Sequence, residues 1–411
     1  MTVPRFLPLY LCFSAAYVMS YVYRTVNAVI SPDLTASLGV SASSLGLLTS
    51  AYFLAFAAMQ IPAGMLLDRY GPRRVEPVLL AIAGSGALAF AASNDLGGLA
   101  FARALIGAGV SVCLMAPLKA IAAWYSRDRQ ASLGAWMMVA GGIGALLSTT
   151  PLAAALTFVS WRGIFVGLAA LTFAAALWIF LAAPDTPPPG AGEARSPWRG
   201  VRIVFASPRL WWIAPLDGLG MGAFMAIQGL WSVPWLMEVD GYTRNVAADH
   251  LLVVGLTTLA GYAAVALLST RLARAGVFPR HMFAAGFALQ TLSLALIVAR
   301  APFTYATWGI YGLTAAVNIL GYTLLNEGFP RELAARANTA LNLAVFLMSF
   351  AMQWGIGLIA DAAREWLGVD AGGGLRVAFI TVLCAEALAF AWFMLGWRRH
   401  ARTAPLARIA A

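Results

Sequence analysis

The sequence predicts an all-α membrane protein of twelve transmembrane helices in two pseudo-symmetric halves of six. Three observations predict this. Of the 411 residues, 61% are hydrophobic and only 11% charged, a balance that puts lipid around most of the chain. Apolar stretches of membrane-spanning length recur between charged and Gly/Pro punctuation. Offsetting the chain by 205 residues lays Arg69 on Arg274, Gly71 on Gly276 and Gly107 on Gly312, an internal repeat of half the chain.

The first six stretches lie near 6–30, 42–66, 77–93, 97–122, 131–157 and 162–183. The second six lie near 210–237, 248–270, 282–299, 303–326, 338–360 and 375–397. The expected organisation is a six-helix half over 1–183, a linker over 184–207, a second half over 208–397 and a tail over 398–411. The linker is rich in proline and charge, with Pro184, Pro187, Pro188, Pro189, Arg195, Arg199 and Arg202. The first stretch has no small-residue cleavage site and reads as a retained helix.

Alternate loops are basic: Arg69, Arg73 and Arg74; Arg127 and Arg129; the linker arginines; Arg271, Arg274 and Arg280; Arg331 and Arg336; Arg398, Arg399 and Arg402. The opposite loops carry mainly Asp33, Asp95, Glu238, Asp240, Asp249, Asp361, Glu365 and Asp370, with few arginines: Arg162, Arg244, Arg300 and Arg364. The positive-inside rule then expects both termini in the cytoplasm of a bacterial inner-membrane protein. The net charge of +10 is spread between apolar segments, which argues against nucleic acid as a partner. Cys12, Cys113 and Cys384 lie inside apolar stretches without metal spacing, so no cofactor, disulfide or resident metal is expected. No nucleophile–base set or phosphate-cradling loop suggests an enzyme.

The run Gly64-Met65-Leu66-Leu67-Asp68-Arg69-Tyr70-Gly71-Pro72-Arg73-Arg74 joins the second and third stretches. Its chemistry suits a cytoplasmic latch: Gly64 for close helix approach, Gly71 for a tight turn, and Asp68 to pair with arginines such as Arg69 and Arg73. This run resembles, position for position, the loop 2–3 signature of the major facilitator superfamily. Pro32-Asp33-Leu34 and the Arg103-x-x-x-Gly107-x-Gly109 pattern of the fourth stretch extend the resemblance over essentially the whole chain. It implies a transporter that binds a small solute near the bilayer midplane between its halves and rocks to expose the site alternately.

Ionisable groups inside a membrane are costly, about 2.5–3.5 kcal/mol each by insertion scales, so those retained are candidate sites. The sequence shows Arg24, Arg103, Lys119, Asp217 and Glu386. Helical spacing puts Tyr17, Tyr21 and Asn27 on the face of Arg24. This first helix is similar to that of the anion:cation symporter branch, where the matching arginine binds a substrate carboxylate. A guanidinium stays charged and offers a planar fork of donors; an interfacial, snorkelling Arg24 is the plainer alternative. That branch also has acidic groups where this chain has Tyr23 and Val110, so its usual proton-coupling groups are missing. Asp217 is the expected coupling group, with Arg103 beside it in that role, since protonating a buried carboxylate eases closure around it. Pairing of Asp217 with an arginine is the alternative.

Gln228, Asn318 and Asn342 are further expected substrate contacts, while Asn338 and Gln353 either line the site or bond across helices. Met221, Met225 and His250 raise a copper reading, because thioethers suit Cu(I). Lys119 and Glu386 read as snorkelling and interhelical side chains. Gly134, Gly141, Gly142 and Gly144 form a small-residue stripe on the fifth stretch without the Gly-Pro of the family's antiporter signature. The leading expectation is proton-driven uptake of a small organic anion by a monomer, with protons and the lipid bilayer as partners. Efflux of drugs or other hydrophobic compounds, copper transport, and a non-transporting sensor are the alternatives.

Overall fold

The computed structural model describes residues 6–125, 127–184 and 202–401. Most of the linker expected over 184–207 and of the tail over 398–411 therefore lies outside the described residues. So do the side chains of Arg127, Arg129, Arg274, Arg331, Arg398 and Arg399. Lipid offers backbone groups no hydrogen bonds, so an apolar stretch must satisfy its own N–H and C=O groups, and a helix does this within one segment. The described residues accordingly form helices and no strand.

The helices are α1 (Phe6–Leu38), α2 (Ala42–Tyr70), α3 (Pro72–Ala92), α4 (Leu96–Gly109), α5 (Met115–Trp124), α6 (Arg127–Leu147), α7 (Thr150–Ala155) and α8 (Trp161–Ala182). They continue as α9 (Pro208–Ala226), α10 (Ser232–Glu238), α11 (Arg244–Arg274), α12 (Pro279–Val298), α13 (Thr304–Ala315), α14 (Ile319–Asn326), α15 (Arg331–Leu367) and α16 (Ala371–Ala401). Polar side chains start several of them: Ser41, Asp95 and Ser160 each accept a backbone N–H three residues on. Gly71 ends α2 and begins α3 at φ 77°, and Gly276, its partner in the repeat, has φ 83°. Only glycine adopts that left-handed backbone at no steric cost.

Among the described residues, ten helices or helix pairs are long and apolar enough to cross a membrane. The remaining two expected crossings are α1 and the fourth stretch. α1 carries Arg24 and Asp33 in its second half, after an uncharged run over 6–23. The fourth stretch, expected as one helix over 97–122, is broken between Gly109 and Met115. Pro117 has no N–H to give the Cys113 carbonyl, and the Ser111 hydroxyl donates to the Ala108 carbonyl at 2.7 Å. A comparable disturbance separates α9 from α10, where Ile227–Trp231 forms a π-helical turn ahead of Pro234.

The helices group into two compact units, Met1–Gly192 with Gln228–Leu252 and Glu193–Ile227 with Val253–Ala411. In the first, α3 packs along α8 through the stacked rings of Phe90 and Phe165, 4.2 Å apart. Glycines set the closest approaches there. A Cβ on Gly107 of α4 would overlap the Tyr52 backbone of α2, and one on Gly141 of α6 would lie 2.7 Å from the Tyr17 and Tyr21 rings of α1. Gly64 behaves otherwise: a Cβ there meets nothing within 4 Å, so the close approach expected of it is absent and Gly107 makes that contact for α2 instead. The second unit is centred on Leu210, Ile213, Phe283, Phe287, Leu341 and Phe393. Trp212 stacks on Phe393 at 4.6 Å and donates its indole N–H to the Phe393 carbonyl at 2.8 Å.

Candidate functional site

Arg24 stands in the middle of α1, half-buried, with its guanidinium 4.5 Å from the Tyr21 ring and 5.7 Å from the Phe56 ring. Its side chain is hydrogen-bonded to Tyr52 of α2, whose hydroxyl also donates to the Ser20 carbonyl at 3.4 Å. Spacing of three residues on one helix joins Tyr21 to Arg24, and Gly141 and Gly144 of α6 leave the space Tyr21 fills against that helix. Aromatic faces stabilise a cation, here a guanidinium whose fork of donors suits a carboxylate.

Tyr52 connects this group to a second guanidinium. Arg103, fully buried on α4, lies 5.0 Å from the other contact surface, the Tyr52 ring, and its Nη1 donates to the Tyr23 carbonyl at 2.8 Å. Tyr23, standing where the symporter branch has an acid, spends its hydroxyl on Thr172 at 2.9 Å. Val110, at the branch's other acidic position, is buried at the break in the fourth stretch.

Asn27 is the residue expected on the face of Arg24 one turn further along α1. It is fully buried, and its Nδ2 donates to Thr49 Oγ1 of α2 at 2.9 Å, tying two helices together. Gln228 sits half-buried in the π-helical turn. Asn342 accepts from Tyr322 at 3.2 Å, and Asn318 is half-buried in a short 3-10 turn before α14. These last two belong to the second unit, and Arg24 and Tyr21 to the first.

Asp217 is fully buried in the second unit, and neither carboxyl oxygen has a hydrogen-bond partner among the described residues. The arginine pairing weighed for it is not formed there. Its neighbour is Gly321, where a Cβ would lie 2.8 Å from Oδ1, so the glycine leaves the space the carboxyl fills. Glu386 is also buried and accepts from Thr291 at 3.4 Å, an interhelical contact as expected. Met225 accepts from Ser349 at 3.4 Å, Met221 is half-buried, and His250 bonds the Val246 carbonyl at 2.8 Å and stacks on Tyr242.

The latch has different partners from those expected. Asp68 pairs with Lys119 of α5 at 2.5 Å, and the same ammonium donates to the Leu67 carbonyl at 2.7 Å. Arg69 lies over the Tyr70 ring at 5.1 Å, and Arg73 donates to the Phe180 carbonyl at 3.1 Å. Successive residues diverge by 100° on a helix, so when Asp68 faces α5, Arg69 faces elsewhere. Asp33 forms a second pair, with Arg244 at 2.8 Å.

Sequence reasoning missed a buried ionisable group. Glu76, the fifth residue of α3, is fully inaccessible. It was passed over because it follows a run of loop charges. The usable signal was its spacing, which sets Leu79, Leu80 and Ala83, all buried, on its own face.

Two units built of long apolar helices, with charged turns at helix ends, define a multi-pass membrane protein. The model of the Major Facilitator Superfamily matches residues 12–353, and the chain belongs to that family of transporters. It is 32% identical over 160 residues to the hexuronate transporter of Escherichia coli (strain K12), covering 38% of this chain and 36% of that protein. To the probable L-galactonate transporter of the same strain it is 32% identical over 180 residues, covering 42% of this chain and 38% of that one. The chain thus matches little more than a third of the length of these curated relatives. Among solved structures, a bacterial homolog of the human lysosomal transporter Spinster, inward-facing and unoccupied, shares the fold with a TM-score of 0.76. The sequence identity is 17%, over 98% of this chain and 99% of that one.

Proposed function

We propose that this protein is a secondary transporter that takes up a small organic anion of the sugar-acid class across a bacterial inner membrane, coupled to protons and working by alternating access. One observation carries the reading: the Arg24 guanidinium, held mid-helix among Tyr21, Tyr52 and Phe56. Its fork of donors matches a carboxylate, and the rings beside it offer apolar faces for a sugar to stack on. The hexuronate and L-galactonate transporters among the relatives support the same class. Gln228, Asn318 and Asn342 bind the solute's hydroxyls, Asp217 takes up the proton, and Arg103 responds to that change in charge. α1 and the interrupted α4–α5 pair cross the membrane with the other ten, which makes twelve crossings. Both termini face the cytoplasm, and the carrier works as a monomer without enzymatic activity.

The test is thermal unfolding of the purified protein with glucuronate, galactonate, a cationic dye or Cu(I), in wild type and Arg24→Ala. A ligand of the native state at a hundredfold its Kd adds about 2.7 kcal/mol of stability. Glucuronate or galactonate is expected to raise the midpoint of the wild type only. Stabilisation by the dye or by copper alone, equal in both proteins, overturns the anion reading in favour of efflux or metal transport.

A further inference from the structure

Glu76 has no part in the site above. It is fully buried, and neither carboxyl oxygen has a hydrogen-bond partner that meets strict geometry among the described residues. The register of α3 and α4 explains what faces it. A Cβ on Gly109 would lie 2.5 Å from the Ala83 nitrogen and the Leu79 carbonyl, so the two antiparallel backbones touch there. Four residues past Gly109, in the break that follows α4, Cys113 comes beside Glu76, about one turn back along α3.

α1 brings Cys12 within electrostatic reach of Glu76, and Arg24 within reach of Cys113. α8, packed along α3, carries no titratable residue over 163–182. α2 and α5 bring Asp68 and Lys119, which pair with each other, and on α3 itself Arg73 is turned to Phe180. Among the described residues no cation pairs with Glu76, although Arg24 of α1 acts on the neighbouring Cys113; enclosing an unpaired charge is costly. Glu76 also lies across from the break at 110–114, where Pro117 leaves the Cys113 carbonyl without its helical amide. A broken helix absorbs a change of backbone angle more readily than an intact one.

We propose that Glu76 is a proton-binding group of the carrier. It holds a proton in the arrangement seen here and releases it when the α3 end and the 110–114 break separate. This rests on the proton-coupled transport reading and gives the first unit a carboxyl where Tyr23 and Val110 replace the acids of the symporter branch. Among the described residues, Glu76 is then a buried carboxyl of the first unit, beside Asp217 and Glu386 in the second.

The experiment is infrared difference spectroscopy of the full chain in lipid as pH is raised, followed by glucuronate uptake into proteoliposomes. Wild type is expected to lose a protonated-carboxyl C=O band and, over the same pH range, to shift the S–H stretch of Cys113. In Glu76→Gln the component of that band coupled to the S–H shift is absent and the S–H stretch stays fixed, whereas Asp217→Asn leaves that component and the S–H shift in place. Glu76→Gln keeps glucuronate exchange within about threefold of wild type, loses accumulation driven by a pH gradient, and regains part of it as Glu76→Asp. An unchanged band in Glu76→Gln, or undiminished gradient-driven accumulation, overturns the proposal. If Glu76→Gln does not fold, Cys113→Ser replaces it: the carboxyl band must shift in frequency, and a band that does not move refutes the contact. Wild type that ignores glucuronate refutes the transport reading, while the infrared result still decides Glu76.

Discussion

Replacing Tyr52 with phenylalanine removes one oxygen from the connection between the two guanidiniums. The hydroxyl hydrogen-bonds with Arg24 and donates to the Ser20 carbonyl, while the ring faces Arg103 at 5.0 Å and packs edge-on against Phe53 at 5.3 Å. Phenylalanine keeps both ring contacts, so the fold is retained and the loss falls on the orientation of Arg24. A hydrogen bond to a charged group contributes about 1.5–3 kcal/mol. At 1.4 kcal/mol per decade, glucuronate affinity should fall by roughly 10- to 100-fold if that contribution goes into positioning the fork. Tyr52→Ala also deletes a fully buried ring, at about 3–5 kcal/mol, and should lower the unfolding midpoint as well. Calorimetric titration of glucuronate into wild type, Tyr52→Phe and Arg24→Ala measures this. A Kd for Tyr52→Phe within twofold of wild type, alongside lost binding in Arg24→Ala, would show that Tyr52 does not position the arginine. Retained binding in Arg24→Ala would remove the anchor itself.

Two glycines of the family signatures should respond oppositely. Gly107→Val forces side-chain atoms into the Tyr52 backbone and should cost about 1–3 kcal/mol or more, whereas Gly64→Ala meets open space and should stay within about 0.5 kcal/mol, both read from thermal midpoints. Trp212→Ala removes the stack on Phe393 and an indole hydrogen bond and should destabilise by about 3–5 kcal/mol. Asp68→Asn should change stability by less than about 1 kcal/mol, since its side chain is 78% exposed, yet it should speed thiol labelling of a cysteine placed at Leu118 on α5.

Much of the fold was legible in the sequence because lipid leaves a chain few choices. An apolar stretch such as 162–183 must pair its backbone internally, and it became α8, Trp161–Ala182. The turn at Gly71 was equally legible, since its left-handed backbone calls for glycine wherever it recurs, as at Gly276. Arg24 and Tyr21 meet because neighbours three apart on a helix are fixed by helical geometry alone.

Contacts between helices were another matter. Nothing local tells Asp68 to choose Lys119, 51 residues away, over the adjacent arginine, or Asn27 to choose Thr49. Nor could composition separate Glu76 from the charged turn before it, although a single helical turn carries it from the membrane surface to a wholly enclosed position. The sequence by itself determined the class, the helices and the one-helix neighbours, because backbone hydrogen bonding and helical periodicity are local. The partners of each polar group were decided only by tertiary structure, because glycine-set register between helices brings distant residues face to face.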